Sequence, residues 1–214
     1  KGWITAEYSM LPGSANNRIN REAVKGKQSG RTLEIQRLIG RTLRSSFDLS
    51  FIREKTIIID CDVIQADGGT RCASITAANL ALRLGVRRLI ASGVCLPQNM
   101  RPTEEQRRSG WRAPVLSTED QMEHEMRVMP NDVAAISVGL IDGQAYLDLD
   151  YNLDSNADVD MNVVKVSSGA FVEVQGTGEE STYQRDELDA LLDMADIGFS
   201  SLFEMQKSIL AGQE

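Results

Sequence analysis

The sequence predicts an α+β fold, a mixed sheet with helices packed on it. Three observations carry this expectation: a β-branched run that breaks at paired glycines and continues as an Ala- and Leu-rich helix, a series of short apolar strands separated by turn dipeptides, and two apolar helical stretches that close the chain. With 214 residues and 42% hydrophobic composition, the chain can bury one continuous core. We therefore expect a single domain over 1–214, with residues 96–129 as an insertion.

Ile4 to Met10 mixes β-branched and aromatic residues and is broken by Leu11-Pro12-Gly13-Ser14, which predicts a strand followed by a basic loop. From Arg31 to Leu43, Leu33, Ile35, Leu38, Ile39 and Leu43 fall mainly at helical offsets. Thr56 to Ile64 is β-branched almost throughout, as buried strands are, and it runs into Asp67-Gly68-Gly69. A helix is expected over Ala73 to Ala91. Between Leu96 and Met129 the composition turns polar, with Pro97, Pro102 and Pro114. Short surface helices at 101–110 or 118–129 are expected there, without a clear core face. Val133–Leu140, Ala145–Asp150, Met161–Val166 and Phe171–Val174 read as a meander of antiparallel strands, with hairpin turns at Asp142-Gly143 and Ser168-Gly169. Glu187–Ala195 and Phe199–Leu210 read as two helices around Gly198.

The apolar runs are far shorter than the roughly 18 residues of a membrane span, so no membrane association is expected. Cys61, Cys72 and Cys95 form no CxxC pair and stand beside a single histidine, which argues against a disulfide framework or a zinc site and for a reducing cytoplasm. The start at Lys1-Gly2-Trp3 shows no secretory leader and reads as the interior of a longer protein; a removed organelle transit peptide is compatible with it. The net charge of -8 argues against a polyanion ligand until its distribution is considered. Residues 1–60 carry 11 Lys and Arg against 6 Asp and Glu, whereas the remainder carries 12 against 25. The basic character is local, and Arg37, Arg41 and Arg44 could equally line the solvated side of a helix.

Two segments carry candidate chemistry. Asp67-Gly68-Gly69-Thr70-Arg71 ends a strand and opens a helix, where free N–H groups and the positive helix end face an anion; Thr70 adds a hydroxyl and Arg71 a planar fork. An ordinary strand-to-helix turn would need the same glycines. Asp148, Asp150, Asp154, Asp158 and Asp160 crowd one segment without the Gly and terminal Glu of a calcium loop. Asp154 with Asp160 suits a magnesium site completed by substrate phosphates and water; a solvated acidic hairpin edge has the same composition. His124 reads as exposed and uninvolved, and Ser9, Ser74 and Cys72 lack a neighbouring base for nucleophilic hydrolysis. Aromatic residues are only 5% of the chain, too few to make base stacking the leading mode of RNA binding.

Five phrases in order, GWITAEYSMLP, GKQSGRTLEIQRLIGRTLR, TIIIDCDVIQADGGTRCASIT, LDSNADVDMNVV and FVEVQGT, resemble the RNase PH family over most of the chain outside 84–130. The resemblance implies an RNase PH-like domain that assembles into dimers and then a hexameric ring. It implies phosphate-dependent 3′-to-5′ trimming of tRNA precursors with release of nucleoside diphosphates. Inorganic phosphate is the implied co-substrate and Mg2+ the cofactor. Arg31, Gly69, Thr70 and Arg71 would hold phosphate, Asp154 and Asp160 would carry the metal or the proton, and Arg18 and Arg21 would guide the RNA 3′ end.

The chain departs from the family pattern at Gly13, Leu153 and Cys72, the last two expected at the active-site rim. It also has an extra stretch after the 73–91 helix, and the family has a further segment ahead of Gly2 that supplies the first strands of the sheet. These departures motivate an alternative: a catalytically inactive ring subunit of an exosome-like RNA-binding assembly.

Overall fold

The computed structural model describes residues 2–178 and 181–212. Residues 1, 179–180 and 213–214 of the expected domain lie outside the described residues. The elements are β1 (Trp3–Met10), α1 (Gly30–Ser45), β2 (Thr56–Val63), α2 (Thr70–Ala91), α3 (Glu104–Arg108), α4 (Thr118–Val128), β3 (Val133–Ile141), β4 (Gln144–Leu147), α5 (Tyr151–Asp154), β5 (Val159–Val166), β6 (Phe171–Gly178) and α6 (Arg185–Ala211). The α+β class holds, with parallel and antiparallel pairing assigned to different sheets. β1 and β2 pair in parallel, Ile4 opposite Ile57 and Met10 opposite Val63, while four antiparallel strands run in the order β4-β3-β5-β6. The expected simple meander is corrected: β5 pairs with β3, not β4. The dipeptides Asp142-Gly143 and Ser168-Gly169 do close the β3/β4 and β5/β6 hairpins, and Asp142 and Gly143 both take positive φ.

β3 explains how the layers stack. Eight consecutive residues from Val133 to Leu140 are buried because both faces are covered: Val133 and Ala135 join the core with β1, α1 and α2, while Ala134, Ile136 and Val138 join the core with α6. α6 is one helix, not two. Gly198 does not break it but thins it: a Cβ there would lie 2.2 Å from Ile136 Cδ1, so the glycine lets the helix press on β3.

The segment expected to lack a core face has one. Leu96, Leu116, Val128 and Met129 enter the core beside α2, and His124 is buried at 2% exposure, correcting its assignment to the surface. Its Nε2 lies 3.1 Å from the Cys95 carbonyl and its ring stands edge-on to Phe51, 5.1 Å between centroids. Burial pushes its pKa down, which favours the neutral imidazole. Glu125 is also buried, and it is compensated: Arg83 Nη1 and Arg87 Nε from α2 donate to its two oxygens at 3.0 and 2.9 Å. Of the α1 arginines, Arg41 pairs with Glu173, and Arg44 donates to the Ile4 carbonyl and lies over the Trp3 ring. Among the described residues no helix is long and apolar enough to cross a membrane.

Candidate active site

Parallel pairing sends β1 and β2 to the same end of the molecule, so the loops that follow them are neighbours. Leu11 N donates to the Val63 carbonyl at 3.1 Å and Ala66 N to the Ser14 carbonyl at 2.6 Å, stitching the two loops together. The second loop ends at Gly69, whose φ of 68° and ψ of 21° place it in the left-handed region that glycine enters at little cost. Gly69 is the N-cap of α2, and no side chain caps the helix, so its first N–H groups face outward. The Thr70 hydroxyl is fixed by the buried Tyr8 hydroxyl of β1, 2.9 Å away.

Across from this helix end, Asp67 Oδ1 accepts from Gly68 N at 3.0 Å and from Tyr151 N at 2.6 Å, fastening α5 to the glycine turn. Gly68 is required by the same approach, because a Cβ would stand 1.9 Å from the Leu149 carbonyl oxygen. Gly68→Ala must therefore displace backbone rather than a flexible side chain tip. It is expected to lower turnover roughly a hundredfold, the cost of misplacing a reacting group by about 1 Å. Activity within twofold of the unaltered chain, with circular dichroism confirming the fold, would show that this approach does not set the site.

Between the two walls lies a cavity of about 660 Å³, lined by Arg31, Gly69, Thr70, Asp150, Asn152 and Asp154 among others. Arg31 projects from the first turn of α1, whose N-cap Ser29 accepts from Thr32 N. A neighbouring groove of about 400 Å³ shares Met10, Ile19 and Arg31 with the cavity and adds Arg18 and Lys25. Its wall is stabilised by Glu22, which accepts from Ser29 N at 3.1 Å and Thr32 Oγ1 at 2.9 Å; bonding to Ser29 holds its carboxyl below the usual range. The pair of hollows offers a basic approach leading to a helix N-terminus faced by a carboxylate.

Of the residues singled out from sequence, the cavity thus gathers Arg31, Gly69, Thr70 and Asp154, with Arg18 in the adjoining groove. Arg21 precedes the short 3-10 turn Glu22–Lys25 and lines neither hollow. Arg71 and Asp160 stand beside the cavity rather than in its lining. The Arg71 guanidinium donates to Gln175 Oε1 at 3.0 Å and pairs with Glu34 at 3.4 Å. Asp160 on β5 receives a long contact of 3.5 Å from Asn162 Nδ2. Cys72 connects these groups. Its thiol donates to Asn162 Oδ1 at 3.1 Å, and burial first, then Asp160, Asp148 and Asp154, push its pKa far up against the opposing charge of Arg71. Cys72 is therefore a neutral, buried support behind the site, which corrects its expected place at the active-site rim. Leu153 likewise does not line the cavity. Sequence reasoning missed Tyr8, Asn162, Lys25 and the clamping role of Asp67; only Asp67 and Lys25 carried a local signal, the first inside the glycine motif and the second inside the basic loop.

Among the described residues no three His, Cys, Asp or Glu side chains converge to hold a metal by themselves. The available donors are hard carboxylate oxygens, which suit a cation that keeps water and completes its shell with substrate phosphate.

Residues 1–85 match domain 1 of the 3′ exoribonuclease family, and residues 132–198 match its domain 2. The chain is 48% identical over 211 residues to a Ribonuclease PH of Bacillus velezensis, an alignment spanning 98% of this chain and 74% of the relative. Its structure is similar to that of rice (Oryza sativa) Rrp46, with a TM-score of 0.64 and 13% identity over 97% of this chain and 73% of that one, a likeness of fold.

Proposed function

We infer the activity from the family to which the chain belongs, the RNase PH family of 3′ exoribonucleases: it is a phosphorolytic 3′-to-5′ exoribonuclease, a nucleotidyltransferase that trims the 3′ end of tRNA precursors. The observation that carries the reading is the uncapped N-terminus of α2 at Gly69 and Thr70, placed with Arg31 across one cavity from Asp154.

In this reading inorganic phosphate lies against the α2 N-terminus, the Thr70 hydroxyl and Arg31, which neutralise a nucleophile that must approach another phosphate. Arg71 joins them by exchanging Glu34 for phosphate. At 3.4 Å and only partly shielded from water, this ion pair is loose and near the surface class worth about 0–1 kcal/mol, so the exchange costs little. A phosphate oxygen attacks the terminal phosphodiester, the bond to the preceding 3′ oxygen breaks, and that oxygen takes a proton. The products are a nucleoside diphosphate and an RNA shortened by one residue. Asp154 and Asp160 hold the cation or deliver the proton, and bound Mg2+ would supply charge stabilisation at the leaving oxygen. Arg18 and Lys25 border the RNA approach, and Arg21 lies between them on the same loop without lining the groove.

The family also supports a homo-oligomeric ring, a hexamer built as a trimer of dimers, and further use in rRNA processing. A reducing cytoplasm accords with the three free cysteines. The inactive-subunit alternative is disfavoured by 48% identity to a Ribonuclease PH and by the presence of Arg31, Thr70 and Asp154 around one cavity.

Incubation with Mg2+ and a 3′-extended tRNA, with and without inorganic phosphate, is expected to release nucleoside diphosphates only when phosphate is present. Monophosphates released without phosphate would replace this reading with hydrolysis, and no release under either condition would favour the scaffold.

A further inference from the structure

A second cavity, of about 550 Å³, lies at the opposite end of the parallel strand pair. Lys55 in its wall immediately precedes β2, whereas Asp67 of the active site follows it. The eight residues of β2 separate the two by roughly 26 Å. Its walls come from the turn before β2 and from residues 93–111, so part of it lies in the stretch that neither family domain matches.

Four cations, Arg53, Lys55, Arg101 and Arg107, line this cavity with a single acid, Glu54. None of the four enters an ion pair among the described residues, although Arg41, Arg83, Arg87, Arg127 and Arg185 all do. Arg101 is fixed in place: its Nε donates to the Leu96 carbonyl at 2.8 Å and its guanidinium lies 5.5 Å from the Phe51 ring centroid. Burial, and then the neighbouring charge of Arg53, push its pKa down. Arg53 has a φ of 41°, a left-handed conformation that costs a non-glycine residue of order 1 kcal/mol. Its backbone is packed so tightly that a Cβ on Gly2 would come within 2.6 Å of the Arg53 carbonyl oxygen. Strained backbone and cations that outnumber the acids around a hollow are what a site for an anion looks like before the anion arrives.

The apolar part of the wall, Phe51, Leu96 and Trp111, narrows the ligand class. A bare inorganic anion leaves that surface unused, and a long RNA strand needs an open track rather than a hollow. The volume falls within the range of roughly 300–1,000 Å³ typical of small-ligand sites. We propose that this cavity binds a nucleoside phosphate, its base against the Trp111 and Leu96 side and its phosphates among Arg53, Lys55 and Arg107.

This site does not depend on the phosphorolytic reading, and its test needs no turnover. Isothermal titration of the full chain with ADP, in the absence of RNA and phosphate, is expected to show a class of sites that weakens at least tenfold in the Arg53→Gln/Arg107→Gln double variant. Because these residues lie outside the catalytic cavity, RNA trimming without added nucleotide should be unchanged. Independently, ADP is expected to quench tryptophan fluorescence in an Arg31→Ala background, and Trp111→Phe should abolish the quench. Unchanged ADP binding in the double variant would overturn the proposal. So would equal binding of inorganic phosphate alone, which would define a simple anion site, or binding of an RNA oligomer with none of ADP.

Discussion

Asp154→Asn is expected to lower phosphorolysis by roughly two to four orders of magnitude, the range for removing a group that handles the proton or cation in the transition state. The substitution keeps the shape of the side chain and removes only its charge. Asp154 sits at the last residue of α5, half-buried in the cavity wall, and among the described residues its carboxylate accepts no protein hydrogen bond. The short helix is held instead by Asp150 Oδ1, which accepts from Leu153 N at 2.8 Å, and by Asp67, so the fold does not depend on the Asp154 charge. The loss should therefore appear in kcat, with melting temperature and circular dichroism little altered. A variant retaining more than about a tenth of the original kcat would remove Asp154 from the chemistry.

The parts of this site that could be read from sequence are those whose signal is local. A β-branched run ending in two glycines and an Ala-rich helix specifies the cradle at Gly69 without reference to the rest of the chain. α1 was equally legible, because Ile35, Leu38, Ile39 and Leu43 repeat at helical spacing and are all buried. What was not legible depends on partners distant in the chain. His124 reads as a surface residue because Cys95 and Phe51, which accept its ring, are separated from it by 29 and 73 positions. Arg71 has its partners on α1 and β6, so sequence gives its charge but not its direction. Turn dipeptides identify the β3/β4 and β5/β6 hairpins but contain nothing that chooses which edge β5 joins; burial of β3 on both faces makes that choice. α5 is a single turn set in an acidic run, too short for any periodicity to show.

Arg83→Ala should produce the largest loss of stability, about 3–5 kcal/mol, because it removes the central cation of a network that holds buried Glu125 and partly buried Asp132. Arg83 is 4% exposed and uses three nitrogens: Nε donates to Asp132 at 2.6 Å, Nη1 to Glu125 at 3.0 Å and Nη2 to the Met129 carbonyl at 3.1 Å. Arg87 still reaches the other Glu125 oxygen, and Asn79 still donates to Asp132, so the network loses its centre but not every bond. For a domain of this size about 1 kcal/mol shifts the melting temperature by roughly 2–4 °C, so a fall of roughly 6–20 °C is expected by calorimetry. Arg83→Met combined with Glu125→Met should be less destabilised than either single change, since removing both buried charges avoids the unpaired state. Arg83 is thirteen residues beyond Thr70 on α2, roughly 20 Å along the helix from the phosphate cradle. Well below the lowered melting temperature, the Arg83 variant should therefore keep phosphate kinetics close to those of the unaltered chain. An unchanged melting temperature would show that the pairing of α4 to α2 adds nothing to stability. Normal melting with impaired phosphate use would mean instead that the α2 N-terminus is positioned from its far end.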